Sequence, residues 1–183
     1  MKIKSAICSL LVLAGFAASA QEVVTTSGGT KDVFYSLANG EVSAVSSTNW
    51  DIAFEIKGFT GAIYTNDGAG VELYQSPYTV AQWSSVDTNG MSGWSVRRND
   101  HEMWSAGAFN ENVSSDFDLG WGEYDINTHA VKGDSIYVLK LADGSFVKMY
   151  VKDLTSGTYT FVYANIDGSN EQTKTLAGTN FTN

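Results

Sequence analysis

The residues best able to do chemistry in this sequence fall in one short stretch. Arg97 and Arg98, its only arginines, stand three and four positions before His101, one of two histidines, and Met103 follows in His101-Glu102-Met103-Trp104. A neutral imidazole and a thioether are side chains that proteins offer to haem iron as axial ligands, and arginine pairs with carboxylates such as a porphyrin's propionates. A plainer reading stands beside it, with His101 hydrogen-bonded at the surface, Met103 filling a core gap and the arginines keeping a loop soluble. Residue types alone do not choose between the two.

Signatures of catalysis are missing. The sequence has no Gly-x-Ser-x-Gly elbow, no phosphate-cradling Gly-Lys-Ser/Thr loop and no His-Glu-x-x-His helix. Asp116-Phe117-Asp118-Leu119-Gly120 and Asp167-Gly168-Ser169-Asn170-Glu171 carry fragments of calcium-loop spacing without the later acidic ligand, which makes them solvated loops. An enzyme is therefore not expected. With 20 carboxylates against 11 Lys+Arg and a sequence pI near 4.5, a nucleic-acid binder is not expected either.

The first twenty residues read as a signal peptide. Lys2 and Lys4 form a basic start, Ala6 to Ala17 an apolar run and Ala18-Ser19-Ala20 a small-residue cleavage site, so the mature chain is expected to begin at Gln21 as a single domain over 21–183. The run is too short to be kept as a membrane anchor. Cys8, the one cysteine, follows Ile7 and precedes most of the apolar run, which is not the setting of a lipid-modified cysteine. An exported protein that is not a lipoprotein follows, with no thiol in its mature form. Loss of Lys2 and Lys4 leaves nine basic side chains against the same 20 carboxylates, a charge of -11.

The elements that must position any site read as strands. Val33–Leu37 and Glu41–Val45 flank Asn39-Gly40, a dipeptide suited to the positive φ angles of a tight hairpin. Asn49–Lys57 is a strongly β-prone run. Ser135–Leu141 and Phe146–Lys152 are joined around Asp143-Gly144, and a two-residue loop there would set Leu141 opposite Phe146, Leu139 opposite Lys148 and Tyr137 opposite Tyr150. Gly157–Tyr163 adds an alternating strand, and no amphipathic helix of useful length is visible. The pattern predicts an all-β domain of two antiparallel layers. The stretch from about Gly58 to Gly122 is looser and rich in glycine, asparagine and tryptophan, which makes it the first place to look for a site. Residues 165–183 are expected to form an edge strand or a tail.

Particular segments resemble a known family. Asn49-Trp50-Asp51-Ile52-Ala53-Phe54 with Thr65-Asn66-Asp67-Gly68, then Gly120-Trp121-Gly122-Glu123-Tyr124-Asp125, Thr128-His129-Ala130-Val131 and the Ala142-Asp143-Gly144 hairpin, are similar in kind and order to segments of the HmuY-like haem-binding proteins of Bacteroidetes. The resemblance runs from about Asp32 to Tyr163. It implies an all-β, haemophore-like protein of the periplasm, outer membrane or medium, active in iron acquisition. Such a protein takes haem from host or environmental haemoproteins and delivers it to a TonB-dependent outer-membrane receptor.

The same resemblance implies two axial ligands. His101 lies where the family's first ligand histidine is expected. The second position falls on Ile126 in a gapless match, and His129 lies three residues later. The implied pair is His101 with His129, with Met103 the alternative to one of them and Arg97 and Arg98 the propionate contacts. A different class stays open. Trp50, Trp83, Trp94, Trp104 and Trp121 on an acidic secreted β scaffold could form a glycan-binding or adhesive surface, and an HmuY-like surface protein need not bind haem. Whether the tryptophans of the loose middle line one concave site beside His101 or spread over an exposed face discriminates these readings.

Overall fold

Alternating apolar side chains with few helix signals produce strands, and the computed structural model of this chain is built from twelve, β1 to β12. It describes residues 31–56, 61–103 and 105–181. The expected signal peptide, the end of the Asn49–Lys57 run and Trp104 lie outside the described residues. Among the described residues the longest helical segment is a six-residue 3-10 turn at Val80–Ser85. Among the described residues no helix is long and apolar enough to cross a membrane.

The strands are β1 Lys31–Ser36, β2 Gly40–Ser46, β3 Ile52–Phe54, β4 Ile63–Thr65, β5 Glu72–Thr79, β6 Ser95–Arg97, β7 Gly122–Asp125, β8 Ala130–Gly133, β9 Ser135–Lys140, β10 Phe146–Thr155, β11 Thr158–Asn165 and β12 Gln172–Ala177. All pairings are antiparallel. The main sheet runs β12-β11-β10-β9-β5-β6, with β8 on the far half of β10 and β7 on β8. Among the described residues β3 pairs only with β4, and β1 only with β2. The polar C-terminal stretch supplies the edge strand β12.

Alternation along β9 assigns the two faces of this sheet. Tyr137 and Leu139 point into a core completed by Leu73, Met149, Val151, Tyr159 and Phe161, and Ile52, Phe54 and Ile63 of the β3-β4 hairpin pack onto it. This small hairpin is the second layer. Ile136 and Val138 point the other way, against Val86 with Trp83 and Trp94 from the turns of residues 80–94. Both faces of β9 are thus covered, which is why it reads as a continuous apolar run.

Four local expectations are corrected. In the β9-β10 hairpin, Phe146 faces Lys140, Val147 faces Leu139, Lys148 faces Val138 and Met149 faces Tyr137, one position from the expected register. The cause is a three-residue loop, Ala142-Asp143-Gly144, with Gly144 at φ +85° and Leu141 N–H donating to the Ser145 carbonyl. Because side chains alternate, that single step turns Ile136, Val138 and Lys148 to one face and Tyr137, Leu139, Val147 and Met149 to the other. β1-β2 makes the same substitution, Ser36 facing Gly40. The Asn49–Lys57 run yields only three strand residues, and the loose middle contains β5, a central strand. Pro77 sits in β5 where its register with β9 breaks, a place at which the missing N–H costs no ladder bond.

Candidate functional site

The outer face of β3-β4, turned away from the main sheet, floors the first of two clefts that hold the candidate histidines. Ala53 and Tyr64, directly opposite each other in that hairpin, lie at its base. Trp50 stands on one wall, Asn66-Asp67-Gly68 on another, and His101 and Met103 on a third, around a volume of about 700 Å³. The size is within the range of small-molecule sites.

Three asparagines build it, Asn66 and Asn110 buried and Asn99 partly so. Asn66 donates from Nδ2 to the carbonyls of Ser47 and Trp50, both at 2.9 Å, while its Oδ1 accepts from Ala69 N–H. The segment bearing Trp50 is thereby tied to the turn bearing Asp67. Asn99 acts like an added strand residue beside β4: its Oδ1 accepts from Thr65 N–H and Ala108 N–H, and its Nδ2 donates to the Thr65 carbonyl at 2.7 Å. Deeper, Asn110 accepts from Ile63 N–H at 2.9 Å and donates to the carbonyls of Gly61 and Leu119. Asn99 and Asn110 satisfy backbone groups that a short, two-stranded hairpin leaves open, and Asn66 those of the segments that flank it. Sequence reading placed Asn66 in a quoted motif and missed the other two, since an asparagine-rich stretch reads as solvated loop until its burial is known.

Asn99 is the hinge post of the loop that carries the candidate ligands. Asp100 N–H donates to the Ala106 carbonyl and closes the loop, and Asp100 Oδ1 accepts from the N–H groups of Glu102 and Met103. That turn throws His101 and Met103 outward. His101 is 78% exposed, with Nε2 3.2 Å from an Asp67 carboxylate oxygen, and Met103 is 54% exposed. A methionine so exposed is not core filler. Burial, followed by the Glu55 carboxylate, raises the pKa of the Tyr64 phenol in the cleft floor.

Arg97 and Arg98 diverge. Arg97 is buried, its guanidinium donating to Gln75 Oε1 and, at 3.0 Å, to the Glu111 carbonyl, with Nε left unpaired. Expected as a propionate contact, it is placed by the strand pairing opposite Leu73, with its guanidinium engaged in holding the Glu111 segment. Arg98 is exposed, and beside it His101, Asp67 and Thr65 form the ridge shared with an adjoining cleft that contains Glu72 and Tyr74. The Tyr74 hydroxyl and then Lys140 at 2.9 Å lower the Glu72 pKa by hydrogen bonding to its carboxylate.

His129 lies elsewhere. It lines a second cleft of about 600 Å³ with Tyr124, Phe117, Leu119, Val131 and Tyr159, and the two clefts share no lining residue. The structure therefore does not bring His101 and His129 to one cleft. As for the tryptophans, Trp121 is fully buried in the core, while Trp83 and Trp94 pack on the far face of the main sheet. Trp83 donates to Glu171 and lies under Lys148 Nζ at 4.9 Å. Among the described tryptophans only Trp50 belongs to the cleft beside His101, contrary to what an aromatic sugar-binding strip would need.

The chain is thus an antiparallel β domain whose accessory hairpin carries a cleft of small-molecule size, with an imidazole and a thioether at its lip. A family model described as HmuY protein matches residues 29–166. The chain belongs to the HmuY family. No curated protein and no solved structure matches it.

Proposed function

We propose that this is an exported haem-binding protein whose first cleft holds the porphyrin with His101 as axial ligand. The observation that supports it most is His101 on the lip of a cleft walled by Trp50 and Tyr64, in a chain of the HmuY family. An Asp67 carboxylate oxygen lies 3.2 Å from His101 Nε2 and would leave Nδ1 to face the iron, an arrangement metal-ligating histidines commonly use. Met103 competes for the same iron face. Two residues span only about 7 Å of chain, too little to carry the backbone round a macrocycle to its opposite face. Arg98, exposed and lining the adjoining cleft with His101, is the cation offered to a propionate, and Asp32, Asp67 and Asp100 keep propionates off the rest of the first cleft. Capture from haemoproteins and delivery to a TonB-dependent receptor are the biological role that family membership supports.

The test is titration of the mature protein with ferric and ferrous haem, followed in the Soret and visible bands. Saturable binding with a single protein ligand gives a high-spin ferric spectrum, and His101→Ala weakens it at least 10-fold, in the range found when a metal site loses a supporting group. Met103→Ala has a smaller effect. A titration of the His101→Ala variant superimposable on wild type would sink the assignment of the ligand, and a wild-type spectrum that never saturates would sink the haem reading.

A further inference from the structure

The second cleft carries chemistry that the first does not use. Tyr124, on β7, and His129, at the end of the following turn, are joined by a hydrogen bond of 2.7 Å between the phenol oxygen and Nδ1. The turn is shaped to make that contact. His129 adopts φ +54°, an uncommon left-handed conformation for a residue with a side chain, and its N–H donates to the Asp125 carbonyl at 2.8 Å. Asp125 fixes the intervening residues, accepting from Asn127 N–H at 2.8 Å and the Thr128 hydroxyl at 2.9 Å. The Phe117 ring lies nearly parallel to Tyr124, 13° between planes, and is itself 46% exposed. Leu119, Val131 and Leu154 complete an apolar wall.

We propose that this cleft binds ferric haem separately from the first, with the Tyr124 phenolate as axial ligand and His129 as the acceptor of its proton. Tyrosine is an established ligand of ferric haem, and a phenol already hydrogen-bonded to an imidazole nitrogen has its proton acceptor in place. In the binding step the phenol O–H breaks, an oxygen–iron bond forms, the proton passes to Nδ1 of His129, and the water on the ferric iron leaves. No oxidation state changes. Glu55 and Asp116 also line the cleft, so the propionate edge would lie away from them, towards solvent. The proposal rests on the haem reading of this family member and adds a ligand of harder, oxygen type, on residues the first cleft does not share.

The experiment is ferric haem titration of the mature full-length protein, with binding stoichiometry read from the Soret band and the ligand identified by resonance Raman bands of iron-bound tyrosinate. Wild type is expected to bind two equivalents and Tyr124→Phe, which keeps the ring on Phe117, only one. His101→Ala is expected to retain one equivalent with the tyrosinate signature. His129→Asn, whose new side chain tolerates the positive φ, is expected to weaken that equivalent about 10-fold. A single wild-type equivalent, lost in His101→Ala and unchanged in Tyr124→Phe, overturns this proposal and leaves the first cleft standing. A tyrosinate equivalent alone, indifferent to His101, overturns the first-cleft assignment instead. No saturable binding overturns both.

Discussion

His101 and Asp67 show how a single contact changes what a side chain can do. A lone exposed imidazole is a weak and poorly oriented ligand. A carboxylate 3.2 Å from one ring nitrogen fixes the ring and increases the electron density available at the other. Asp67→Asn keeps an acceptor oxygen and removes the charge, so haem affinity at the first cleft is expected to fall about 10-fold. Because Asp67 is a half-exposed turn residue, the urea midpoint should stay where it is. Equilibrium Soret titration of this variant checks the effect, and affinity equal to wild type would mean that Asp67 does not support the ligand. Arg97 and Arg98 give the complementary lesson. Adjacent in sequence and identical in type, they are separated by strand alternation into an internal strut and an exposed cation, and no residue-level reading without the strand register could have told them apart.

At the level of elements, what was legible depended on how much of the signal was local. β9, β10 and β11 were visible because β-branched and aromatic residues recur at the strand period. The hairpin joining β9 to β10 was placed correctly but its register was not: Asp-Gly serves both a two-residue loop and a three-residue loop ending in a left-handed glycine, and only the bond from Leu141 N–H to Ser145 decides. β5 escaped because Glu72, Gln75, Ser76 and Pro77 dilute its apolar signal, although Leu73 is wholly buried and its partners β6 and β9 are distant in sequence. His101 and Met103 were legible as chemistry. The asparagine frame that supports them was not, since its partners lie up to 49 residues away. That frame makes an expectation of its own. Asn110→Ala leaves Ile63 N–H and the Leu119 carbonyl without partners, while the Gly61 carbonyl keeps its bond from Trp121 Nε1, at a cost of about 2 kcal/mol, measurable by urea denaturation. A loss below about 0.5 kcal/mol would mean that water or relaxation of the hairpin replaces those bonds.

On the scale of the whole molecule, charge opposes the proposed ligand. The intact sequence carries -9, and the expected mature chain is more acidic still. Haem brings two propionates, so encounter is repulsive at long range while binding in the first cleft is local, through an imidazole and the walls around it. At physiological ionic strength the screening length is about 8 Å, shorter than the protein, and lowering the salt extends the repulsion over the whole surface. The association rate of monomeric haem is therefore expected to rise with added salt, the reverse of a steered encounter, whereas the dissociation rate should change little. Stopped-flow mixing across a range of sodium chloride concentrations reads both. An association rate that falls with salt would show that a local cationic field, with Arg98 and Lys140 at its centre, outweighs the acidic surface. In that case neutralising Arg98 as Arg98→Gln should abolish the fall, and if it does not, the propionates enter by a different edge of the cleft.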